Sequence, residues 1–67
     1  METFAKIIKE LRDEKGMNKS QLARALGLSH TVIINWENGS KAPSIFTFIE
    51  LAKYFGVTID YLVGLEK

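Results

Sequence analysis

Asn35, Thr31 and His30 are side chains of this 67-residue chain that could hydrogen-bond to a partner. The carboxamide of Asn35 can accept and donate at once, so it can pair with an edge that offers a donor beside an acceptor. Thr31 brings a hydroxyl and a methyl group, and His30 brings a ring donor. A second set could hold anions. Lys19 and Ser44 stand where helices are expected to begin, and unpaired N–H groups and the helix dipole favour negative charge there. Asn38 and Lys41 flank the loop that follows the third expected helix. Taken singly, His30, Thr31 and Asn35 are each better read as solvated surface side chains.

Charge placement bears on the same question. The net charge is only +1, yet residues 15–41 carry Lys15, Lys19, Arg24 and Lys41 against Glu37 alone, a local +3. The segments before and after are each −1. A basic centre between mildly acidic flanks is a local field, to which an anionic partner responds, although a solvated surface accounts for the pattern equally well. Lys15 and Arg24 read either as further anion contacts or as solubilising charges.

Several function classes have little to work with. There is no cysteine and only one histidine, so neither a disulfide nor a zinc site is expected. Ser29 and His30 are sequence neighbours at a helix start and do not face one another, and no paired carboxylates or strand-linked glycine loop stand at catalytic spacing. No enzyme activity, cofactor, metal or small-molecule substrate is expected. No apolar run exceeds three residues, so no membrane span is expected, and Met1 to Phe4 does not open a signal peptide. The absence of cysteine agrees with a reducing, cytoplasmic setting.

The elements that must position these residues are all helical. An apolar fraction of 46% suits a globular chain, and the length suits one domain, residues 1–67. Phe4, Ile8, Leu11 and Lys15 recur at helical intervals, which predicts a first helix from about Thr3 to Lys15, stopped by Gly16. Asn18 and Gln21 form a capping-box pattern ahead of a second helix, Lys19–Leu26, expected to bury Leu22, Ala23 and Leu26. Ser29 caps a third, His30 to about Asn38, with Ile33 and Trp36 inward. Ser44 caps a fourth, Ile45–Phe55, with Phe48, Leu51, Ala52 and Phe55 inward, and Thr58 caps a short fifth that ends at Gly64. Only Gly27, Leu28 and Ser29 separate the second and third helices. So short a link forces a steep crossing, the helix-turn-helix geometry, at about residues 18–38.

The run Gln21-Leu22-Ala23, Gly27-Leu28-Ser29, Ile33, Trp36-Glu37-Asn38-Gly39, Pro43, Leu51-Ala52, Gly56-Val57, Asp60 and Leu62 resembles the Cro/C1-type helix-turn-helix family over about residues 8–64. That family includes lambdoid phage repressors, Xre-like regulators and restriction-modification controller proteins. The resemblance implies an all-α, compact five-helix bundle that binds double-stranded operator DNA, commonly as a homodimer, with the third helix in the major groove. It implies a cytoplasmic transcriptional regulator, bacterial or phage-encoded, with repression the expected sense.

The resemblance also assigns residues. His30, Thr31 and Asn35 match base-contacting positions, with Asn35 suited to adenine. Lys19, Asn38, Lys41 and Ser44 become phosphate contacts, which set register without reading sequence. Arg12 and Glu37 match a buried structural ion pair between the first and third helices. Two departures stand out: Lys19 replaces a common glutamine, and Val32 and Ile34 replace common polar residues. Those two could pack at the core edge, touch thymine methyls or meet another protein. Phe46, Ile49, Ile59, Val63 and Leu65 suggest a second apolar surface suited to self-association. A rival reading remains, a protein-interaction module on the same fold, for example an antitoxin or a regulator's partner-binding domain, with weak or no DNA binding.

Overall fold

The computed structural model describes the backbone of residues 2–65 and the side chains of residues 3–65. Five helices and no strand occur among them: α1 (Glu2–Glu14), α2 (Lys19–Leu26), α3 (His30–Glu37), α4 (Ile45–Phe55) and α5 (Ile59–Leu62).

Local signals set the boundaries. Asn18 Oδ1 accepts from the Gln21 amide at 2.8 Å while Gln21 Oε1 accepts from the Asn18 amide at 2.8 Å, a complete capping box for α2. Gly27, at φ 71°, takes the left-handed conformation that ends α2, and the Leu28 amide turns back to the Ala23 carbonyl at 2.8 Å. Ser29, Ser44 and Thr58 each accept from the third residue of the helix they open. The C-terminal ends of α1 and α3 differ from expectation by a residue. α1 stops at Glu14, so the exposed Lys15 lies in the turn and the buried stripe ends with Leu11 and Arg12. α3 stops at Glu37, and Asn38 is its C-cap.

Phe4, Ile8, Leu22, Ile33, Leu51 and Leu62 are fully buried, one or more from every helix. The ring of Phe4 meets Trp36 edge-on at 5.9 Å and Phe48 at 5.1 Å, so the first turn of α1 is wedged between α3 and α4. Ala23 is buried between α2 and α3, where a small side chain lets the two helices approach. Leu26, Ala52 and Phe55 are half-buried against this core rather than within it. Ile59 and Val63 also pack against it, because α5 folds its apolar residues back onto the bundle. The surface expected from Phe46, Ile49, Ile59, Val63 and Leu65 is therefore smaller: Phe46 (77%) and Leu65 (76%) are widely exposed, Ile49 is half-buried, and Ile45, at the start of α4, is exposed as well.

Candidate nucleic-acid interface

One ion pair holds the candidate interface in shape. Arg12 Nε donates to Glu37 Oε2 at 2.7 Å and Nη2 donates to Oε1 at 3.0 Å. Its Nη1 donates to the Met17 carbonyl at 2.8 Å and lies 3.3 Å from Asp13 Oδ1. The Arg12 and Glu37 side chains are 9% and 5% exposed. The guanidinium fork thus joins α1, the α1–α2 turn and the last residue of α3. Its hydrogen bond to Glu37 raises the pKa of Arg12 above its ordinary range, burial opposes this, and the charges of Glu37 and Asp13 add to the rise. No buried side-chain nitrogen or oxygen among the described residues lacks a partner.

With Ile33 and Trp36 buried, α3 leaves His30 and Thr31 exposed at its first turn and Asn35 half-buried one turn beyond Thr31. Asn35 also organises the next loop. Its carbonyl accepts from the Ser40 and Lys41 amides at 3.1 and 3.2 Å, and its Oδ1 lies 3.4 Å from Ser40 Oγ. Lys41 is thereby tethered through its backbone to α3 while its side chain stays exposed. Asn38 Oδ1 accepts from the Ser40 amide at 2.8 Å. The exposed Ser44 hydroxyl accepts from the Thr47 amide at 3.3 Å and faces Thr47 Oγ1, so it serves first as the cap of α4.

The structure also separates Val32 from Ile34. Val32 is half-buried against the core. Ile34 instead lines a cleft of about 250 Å³ together with Lys9, Arg12, Lys19, Glu37 and Asn38. Two of the expected phosphate residues, Lys19 and Asn38, are thus brought to one place beside the ion pair. Lys9, which the sequence reading does not single out, lines the same cleft. Its signal was its spacing: three residues before Arg12, it shares the helix face that Arg12 turns toward α3. A larger cleft, about 380 Å³, lies between Leu26 and Leu28 on one side and Thr47 and Tyr54 on the other, and contains none of the expected site residues. Nor do the described residues hold a cluster of three or more potential metal ligands.

The family model described as helix-turn-helix matches residues 8–62. The chain belongs to the Cro/C1-type helix-turn-helix family. Among its relatives, the HTH-type transcriptional activator BcrR of Enterococcus faecalis is 36% identical over 64 residues, 96% of this chain and 31% of BcrR. The cryptic phage CTXphi transcriptional repressor RstR of Vibrio cholerae is 33% identical over 61 residues, 91% of this chain and 55% of RstR. The ImmF control region 10 kDa protein of Bacillus phage phi105 is 34% identical over 60 residues, 90% of this chain and 67% of that protein. The chain therefore spans about a third to two thirds of the length of these relatives. No described helix of this family member is long and apolar enough to cross a membrane.

Proposed function

We propose that this chain binds double-stranded DNA sequence-specifically and regulates transcription, with α3 in the major groove. The observation that carries the reading is the setting of α3. A three-residue link, residues 27–29, joins it to α2, Ile33 and Trp36 anchor one face, and His30 and Thr31 stand free at its first turn. A major groove about 12 Å wide accepts a helix presented in this way. His30, Thr31 and Asn35 are the proposed base contacts. Lys19, Asn38, Lys41 and Ser44 are the proposed phosphate contacts.

Repression by occupying an operator is the proposed outcome. RstR is named a repressor, and BcrR is named an activator, so kinship supports regulation more strongly than its sign. A homodimer on DNA is proposed from the exposed Ile45, Phe46 and Leu65. The same apolar residues favour a second reading, docking to another protein without DNA.

Selection of bound duplexes from a random library tests the proposal. The expected result is an enriched motif with two-fold symmetry. No enrichment over input at low salt, from a folded protein, overturns DNA binding and leaves the protein-docking reading.

A further inference from the structure

We propose that Ser40, in the loop after α3, is a positioning residue for base reading, and that its hydroxyl turns the Asn35 carboxamide so that the amide nitrogen rather than the oxygen meets the DNA. The inference rests on the DNA-binding reading above and names the class of base edge that Asn35 takes.

Ser40 is held before its side chain acts. Its amide donates to Asn38 Oδ1 at 2.8 Å and to the Asn35 carbonyl at 3.1 Å. With the backbone fixed in this way, the Ser40 hydroxyl lies 3.3 Å from the Asn35 carbonyl oxygen and 3.4 Å from Asn35 Oδ1.

A hydroxyl has one hydrogen, and two acceptors face this one. The backbone carbonyl is already occupied. It takes the Ser40 and Lys41 amides at 3.1 and 3.2 Å, one for each lone pair. Oδ1 accepts from no other group among the described residues. The hydroxyl hydrogen therefore belongs to Oδ1. The opposite orientation of the carboxamide, with Nδ2 toward Ser40, would leave that hydrogen without a free acceptor in the protein. The bond is long for O–H···O, so it biases the carboxamide rather than locking it.

What stays free is Nδ2, which donates to nothing among the described residues. It carries two N–H groups and no acceptor. In the major groove guanine shows two neighbouring acceptors, N7 and O6. Adenine shows an acceptor beside a donor, so it needs both halves of a carboxamide. Ser40 thus moves Asn35 from the adenine suited to an unrestrained carboxamide toward guanine. The loop residue selects the base without touching it.

The test uses the full chain, with each variant shown to be folded by circular dichroism. The duplexes are operator variants that differ at the base pair where Asn35→Ala loses discrimination. The wild type is expected to bind the guanine duplex about 5-fold or more tighter than the adenine duplex. Ser40→Ala is expected to bring the two affinities within about 2-fold, because the released carboxamide can then pair with adenine. Ser40→Thr keeps the hydroxyl and is expected to restore the preference. A merely structural role would read differently. The same loop carries Lys41, so loosening it would weaken binding to all duplexes alike and lower the salt slope, as Lys41→Ala does. Ser40→Ala is expected to leave the salt slope unchanged. An adenine preference in the wild type overturns the assigned orientation. A Ser40→Ala protein that keeps the wild-type ratio, with or without a uniform loss of affinity, overturns the positioning role and leaves Asn35 as a reader. If Asn35→Ala loses discrimination at no base pair, the inference falls while DNA binding stands. Failure of the wild-type chain to bind any duplex overturns the inference and the function together.

Discussion

Arg12 and Glu37, 25 residues apart in sequence, meet through two parallel hydrogen bonds of 2.7 and 3.0 Å with almost no access to solvent. Removing one member leaves the other charge buried without its partner. Arg12→Ala or Glu37→Ala should therefore each cost about 3–5 kcal/mol. A domain of this size has a total stability of about 3–10 kcal/mol, so either variant should lie near the edge of folding. The double replacement with apolar residues of similar volume should recover much of the loss. Urea unfolding of the wild type, Arg12→Ala, Glu37→Ala and the double alanine variant measures the coupling, and a value within error of zero would refute an energetic tie between α1 and α3.

Gly64 packs against Thr3, which brings the chain two residues past α5 beside the start of α1. A Cβ at Gly64 would clash with Thr3 Cγ2, and the backbone there is left-handed at φ 86°. Gly16, at φ 68°, has open space around the same position. Gly16→Ala should lose about 1–2 kcal/mol from conformation alone. Gly64→Ala should lose that and more, and Thr3→Ala should return the excess without returning the conformational part. Thermal or urea unfolding checks this. Equal losses at both glycines would show that Thr3 simply moves aside.

Positioning and reading should separate at Lys41 and Asn35. Lys41→Ala should weaken binding to operator and non-operator duplexes by similar factors and lower the salt slope by about one unit. Asn35→Ala should leave that slope nearly unchanged, cost about 1–3 kcal/mol on the operator and relax preference at one base pair per half-site. The backbone bonds from Ser40 and Lys41 to the Asn35 carbonyl survive the change, so the loop should keep its place. Circular dichroism first establishes that both variants are folded. An Asn35→Ala protein with wild-type discrimination among single-base operator variants would remove Asn35 from the base-reading set.

Dimerisation should be legible in the footprint. Two copies related by a two-fold axis should protect half-sites about 10 base pairs apart, centre to centre. Phe46→Ser, made on an exposed ring, should leave stability within about 0.5 kcal/mol. It should also reduce cooperative filling of the two half-sites while single half-site affinity is kept. Saturation at one asymmetric half-site by the wild-type chain would count against the dimer.

The helices and their limits were legible in the sequence because the signals that make them are local. Asn18 with Gln21, Ser29, Ser44 and Thr58 act within a single turn, and Gly27 permits a backbone conformation whatever surrounds it. The short link between α2 and α3 and the apolar spacing of Ile33 and Trp36 then left few ways to pack them. Those same features carry the family resemblance.

Tertiary structure decided what depends on neighbours distant in the chain. Periodicity could not distinguish Val32 from Ile34. The approach of α1 to α3 did, sending one toward the core and opening the other onto a cleft. Ile59 and Val63 looked as available as Phe46 and Leu65 until the fold of α5 against the bundle covered them. Lys9 was an ordinary surface charge until the Arg12–Glu37 bridge set its turn of α1 beside Lys19 and Asn38. Helix formation and capping depend on contacts within a few residues, whereas a cleft between three helices exists only after nonlocal packing has placed their side chains together.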